Sequence, residues 1–142
     1  PNELINTTMS VAFTNGTGSG QANRFFSDTS ALSPGLSLTY DLNSGTTLVD
    51  SYGSSTVFTK LKGIFIRNKS LVSGDELLLS GNFVTVSFGA NDLVIGPSGI
   101  LALVNPIDGW TVTTTTADQL DILNPTLNSA SVSYDLVLWG VV

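Results

Sequence analysis

A chain of 142 residues is the size of one domain. Only 11% of it is charged, while 42% is hydrophobic and much of the rest is Ser, Thr, Asn and Gly, so its surface is expected to be neutral and polar, as suits a protein embedded in an assembly. A formal charge of −6 with five basic residues argues against nucleic-acid binding, and the lack of Cys and His removes disulfides, thiol chemistry, the commonest general base and the commonest metal ligand. No apolar run approaches the roughly 20 residues of a membrane helix, and no signal-peptide pattern opens the chain. Pro1 is read as the residue left after removal of an initiator Met.

Residues 1–31 read as an N-terminal arm, extended or half-ordered. Ser, Thr, Asn and Gly dominate it, with a flexible patch at Gly16–Gly20. Apolar knots at Met9, Val11 and Phe13, then at Phe25 and Phe26, are expected to hold it. The competing reading makes Val11–Phe13 the first strand of the domain.

Residues 32–142 read as a single β-sandwich domain. After the turn at Ser33-Pro34-Gly35, Leu36, Leu38 and Tyr40 alternate with polar residues as a half-buried strand requires. A short strand is expected over Thr47–Tyr52. Thr56–Lys69 is the longest candidate, apolar on both faces and so central, with a bulge near Gly63. Asp75–Ser80 and Phe83–Phe88 flank Gly81-Asn82, which predicts a tight hairpin. Asp92–Ile95 and Ile100–Val104 follow. After the loop 105–109, Trp110–Thr116 is expected to return as a strand, its Thr run favouring β. Leu120 and Ile122 mark the next strand. The last, Ala130–Val142, alternates cleanly. Ala130, Val132, Tyr134, Leu136 and Leu138 share the core face; Val137 and Trp139 share the other with Ser131, Ser133 and Asp135. Another subunit, a loop or the arm is expected to cover Trp139. A strand running to Val142 leaves no tail to fray.

No segment sustains a helical apolar period. The fold class is therefore all-β. An antiparallel β-sandwich of jelly-roll type with an extended N-terminal arm is the first reading, and an immunoglobulin-like sandwich the second.

The chain carries no recognisable catalytic set, cofactor fingerprint or metal-ligand spacing. Most Asp residues sit in turns or at strand starts, where they serve the backbone. Asp75 and Glu76 are a weak candidate for a loop calcium site. No nucleophile elbow is present, and GTGSG matches no phosphate-binding pattern. Trp110, Trp139 and Tyr52 are the aromatics available to stack on sugars, though packing is the commoner use of such residues. Lys60, Lys62, Arg67 and Lys69 cluster within ten residues. They read as the outer positions of a solvated strand, or as a face for an acidic partner.

Several segments resemble small structural proteins of tailed bacteriophages. They are Tyr40–Gly53, Phe58–Asn68, Ile95–Val112 and Thr116–Gly140. Asp41, Leu42 and Gly45 match a "D-L-x-x-G" segment. Lys62, Ile64, Ile66 and Asn68 match a "K-x-I-x-I-x-N" strand. Ala117, Asp118, Leu120, Ile122 and Asn124, then Val132, Tyr134, Leu136, Val137, Leu138 and Gly140, match the closing segment. Within that class the resemblance implies a capsid cement or decoration protein: non-catalytic, commonly trimeric, clamped over capsomer junctions on the capsid exterior. Its partner would be the major capsid protein, with no nucleic acid, membrane or cofactor involved. It would be made in the host cytoplasm. A trimer requires a head-to-tail interface. Ile107, Trp110, Val137 and Trp139 are the candidates for it. Phe13, Phe25, Phe26, Lys60 and Lys62 are the candidates for contact with the capsid or a neighbouring subunit. The alternatives are a tail, fibre or head-spike module that binds host carbohydrate and a small lectin-like or hydrolytic β-sandwich enzyme.

Overall fold

Period-two apolar spacing dominates the chain, and the chain forms two antiparallel sheets. The computed structural model describes residues 8, 10–49 and 53–142. Among these the elements are β1 (Arg24–Leu32), β2 (Ser37–Asp41), β3 (Lys60–Asn68), β4 (Leu77–Ser80), α1 (Asn82–Phe88), β5 (Leu93–Ile95), β6 (Ile100–Val104), β7 (Trp110–Thr111), β8 (Gln119–Leu123) and β9 (Val132–Val141). One sheet has the order β1-β9-β3-β6, with β7 also pairing with β3; the other has the order β2-β8-β4-β5. Most sequence neighbours lie in different sheets, so the chain passes repeatedly across the core.

The core lies between the two inner faces. Strand β9 contributes Val132, Tyr134, Leu136 and Leu138, all 0% exposed, as its alternation requires. Strand β3 is central, with β9 on one side and β6 and β7 on the other. Its register with β9 shifts between Leu61 and Gly63. That bulge lets Leu61 and Ile64, three residues apart, both face the core.

Three expectations are overturned. The hairpin at Gly81-Asn82 does not form, because β4 already has β8 and β5 as its two partners. Residues 82–88 instead form α1, which buries Phe83 and Val84 and ends on left-handed Gly89 (φ 66°). Gly81 (φ 102°) must be glycine, since a Cβ would overlap the Gln119 carbonyl of the neighbouring strand. The Thr run is not a strand either. Residues 113–117 make a tight turn closed by Thr113 and Ala117, with Thr115 at φ 68°. Asp118 accepts a 2.6 Å bond from the Thr115 amide and ties the turn to Asn82 at the start of α1. Third, residues 24–31, expected to belong to an extended arm, are part of a full strand, Arg24–Leu32, paired to β9 at nine positions. Of the expected strand over Thr47–Tyr52, only a bridge from Val49 to Ser55 is seen. Residues 50–52 and Met9 lie outside the described residues.

One end of the sandwich is built on buried amides. Asn68 donates to the Asp75 and Ile95 carbonyls at 3.1 and 3.0 Å. Asn124 donates to the Leu32 and Ala130 carbonyls, and Asn128 bonds Asn124 and both backbone groups of Glu76. Asp75, 2% exposed, accepts from Ser70 and from the amide and hydroxyl of Ser129. Its carboxylate is thereby filled from within the protein. This network binds loops 69–76 and 124–131 into one unit.

A candidate binding groove between the N-terminal segment and the first sheet

Residues on β9 that miss the core must point outwards, and two of them are large. Trp139 sits between Phe25 of β1 and Gly63 of β3, while Val137 sits between Ser27 and Phe65. The Trp139 indole lies across Gly63, where even a Cβ would overlap the ring. A missing side chain on the central strand thus makes the seat for the tryptophan. Phe13 packs edge-on against that indole, with ring centroids 6.2 Å apart, a geometry worth about 0.5–1.5 kcal/mol beyond area burial.

The N-terminal segment is held in place by a lysine that it buries. Lys62, at the β3 bulge, is 1% exposed and donates to the Gly18 carbonyl at 2.5 Å and the Pro106 carbonyl at 3.2 Å. The Gly20 amide also donates to Pro106 at 2.9 Å. The glycine-rich patch is therefore clamped to loop 105–109, and its glycines allow the tight return from Thr14 to Gln21.

Between this segment and the sheet lies a cavity of about 510 Å³. Its walls are Val11, Phe13, Phe25, Val137 and Trp139, and its polar rim is Asn15, Asn23 and Arg24. Phe25 is 61% exposed. The Trp139 Nε1 donor is buried with no hydrogen-bond partner among the described residues, an unusual cost at a surface. The groove offers apolar area and one cation, Arg24.

Comparison with protein-family models and with curated proteins finds no match.

Four of the nine candidate residues meet in the groove: Phe13, Phe25, Val137 and Trp139. The other five do not. Phe26 is 2% exposed and stacks on Tyr40 in the core, so it is no contact residue. Neighbours in a strand face opposite ways, and only Phe25 faces out. Lys62 is buried beneath the N-terminal segment and loop 105–109, and Lys60 is exposed. Trp110 packs on Phe88, centroids 5.1 Å apart, against the core. Ile107 is 64% exposed at the tip of loop 105–109. Tyr52 lies outside the described residues.

A second cluster was not anticipated. Tyr40 donates to Asp28 at 2.6 Å, its hydroxyl meets that of Tyr134 at 2.7 Å, and Ser30 donates to the same carboxylate oxygen. The signal was parity, because Asp28 and Ser30 share the inward face of β1 with Phe26. Burial, then the bond to Asp28, pushes the Tyr40 hydroxyl far up; burial does the same to Tyr134. Both remain neutral, so the cluster clasps the edges of the two sheets rather than supplying a base. A raised folded pKa contributes stability below the unfolded value of about 10, and this is lost as pH rises above it. The unfolding free energy from denaturant titration should hold to about pH 10, then fall by about 1.4 kcal/mol per pH unit for each tyrosine. Tyr40→Phe/Tyr134→Phe should flatten that fall; an unchanged slope would dismiss the clasp.

Proposed function

We propose that this chain is a non-catalytic virion structural protein, a capsid cement or decoration protein of a tailed bacteriophage. In this reading it sits on the capsid exterior as a homotrimer and stabilises junctions between capsomers of the major capsid protein. The resemblance of Tyr40–Gly53, Phe58–Asn68, Ile95–Val112 and Thr116–Gly140 supports it. The single structural observation that carries it is the apolar groove over Trp139, a surface suited to holding protein by area.

The jelly-roll reading belongs to the same proposal. Its support is the arrangement of strands: β1, β3, β6 and β9 in one sheet, β2, β4, β5 and β8 in the other, the number and alternation that two Greek keys give. Strands β6 and β7 count there as one edge strand interrupted by loop 105–109.

The test is co-sedimentation with purified shells that lack the protein. Saturable binding and a raised shell melting temperature are expected. A protein that stays in the supernatant at every concentration would remove the cement reading. The groove also favours a second reading, a host-carbohydrate module, because Phe25 and Trp139 offer aromatic faces beside Asn15, Asn23 and Arg24. Glycan-array binding abolished by Phe25→Ser, without shell binding, would select it.

A further inference from the structure

We propose that the loop tips at the amide-built end of the sandwich dock into the Trp139 groove of a second copy, joining copies head to tail. The inference deepens the cement reading and rests on it only for closure of the chain of contacts into a trimer.

The tips are apolar where solvent-facing loops are normally polar. Leu127 is 96% exposed and Leu71 88%. Neither sits on a slack loop. Asp75 ties residues 70 and 129 together, and Asn128 ties its own loop to Glu76. Side chains offered on so fixed a base lose little freedom on docking, which favours association.

The groove supplies the complement. It is an open, apolar groove, and its volume of about 510 Å³ has room for two aliphatic side chains. Charge matches as well as shape. Arg24 on the rim donates only to the Asn23 carbonyl, and it has no carboxylate partner among the described residues. Glu76, beside Asn128 at the tip, carries the opposite charge, and its carboxylate is in no ion pair among the described residues. Of the cations near that end, Lys69 pairs with Asp135 at 3.4 Å, and Arg67 lies exposed on β3 opposite Asp135 in register. A tip entering the groove brings Glu76 towards Arg24.

Geometry makes the contact heterologous. Val132, next to the tips, and Trp139, under the groove, are seven residues apart on β9, roughly 23 Å at strand rise. Each copy therefore has one tip and one groove at separate places. Such contacts close into a ring or run on as a filament.

The test is mass in solution by light scattering after size exclusion. Wild type should be a trimer. Leu71→Ser/Leu127→Ser lacks the tip, and Phe25→Ser lacks a groove wall. Each should be monomeric, and should unfold at the midpoint that wild type shows when diluted below its assembly range, because these side chains are exposed in the single copy. Mixed in equal amounts they should form one-to-one dimers, since a single tip and groove survive in the pair. Arg24→Glu and Glu76→Arg should each weaken assembly about tenfold, and together restore it. A monomeric wild type, or both variants assembling normally, overturns the inference. So does an oligomer lost on deleting residues 1–9 but kept in the tip variant, which would give the groove to the chain's own first residues. Shell binding separates the two ideas. Monomers that bind shells sink this inference and keep the cement reading; head-to-tail rings that ignore shells do the reverse.

Discussion

Replacing Asn124 by Leu should lower the unfolding free energy by about 3–5 kcal/mol, the largest loss expected from one side chain in the loops. Asn124 is 0% exposed. Its amide donates to the Leu32 carbonyl at 2.6 Å and the Ala130 carbonyl at 3.2 Å, and its oxygen accepts from Asn128. Leu fills similar space but leaves two buried carbonyls and one amide without partners. Each such orphan costs about 1–3 kcal/mol, less when neighbours relax together. Asn128 would then also loosen its hold on Glu76. Urea midpoints measure the loss. Leu127→Ser, three residues away and exposed in the single copy, is the control and, at a dilution where wild type is monomeric, should move stability by no more than about 0.5 kcal/mol. Equal midpoints for Asn124→Leu and wild type would mean that the amide network does not hold this end.

Gly63→Ala should cost about 2–4 kcal/mol and empty the groove wall. The added methyl occupies the space of the Trp139 ring. The ring is on the outer face, so it can escape outwards, but only by leaving Phe13 and the N-terminal segment. In a Trp110→Phe background, Trp139 emission should shift to the red as the indole meets water. A double-mutant cycle identifies the cause: in a Trp139→Ala background, Gly63→Ala should become nearly neutral, with a coupling of about 2 kcal/mol. A full cost in that background would place the strain in the β3 bulge instead of in the indole. The same substitution should weaken whatever the groove holds, which links its effect on stability to its effect on binding.

Much of the first sheet could be read in advance, and the reason is local. Where one face of a strand is buried and the other is not, alternation alone sorts the side chains. That is why Tyr134, Leu136 and Leu138 were placed inside and Val137 and Trp139 outside, and why apolar groups on both faces of residues 56–69 marked β3 as central. The bulge at Gly63 was legible for a similar reason, because a glycine inside a strand pattern has no packing purpose of its own. The groove was legible only in pieces. Phe13, Phe25, Val137 and Trp139 were each marked for contact, yet nothing in their spacing showed that they meet. Phe26 was assigned to contact because an adjacent Phe-Phe pair carries no parity until a partner strand supplies it. Lys62 was read as a solvated charge because the two loops that cover it, at Gly18 and Pro106, are 44 residues away on either side.

What the sequence by itself determined is the all-β character, the approximate strands and the inward face of each long one. These follow from side-chain alternation and turn chemistry, both properties of a few consecutive residues. What only the tertiary structure decided is everything set by competition for a partner. Residues 82–88 coil into α1 because β4 has no free edge left. The Thr run turns because Asp118 and Asn82 hold it there. Asp28, Tyr40 and Tyr134 meet across 106 residues of chain because the edges of two sheets meet there. The groove itself exists because Lys62 finds carbonyls from two loops and because Gly63 leaves a tryptophan room to lie flat. Hydrogen-bond pairing and close packing are long-range in sequence, and so they were absent from any window that could be read along the chain.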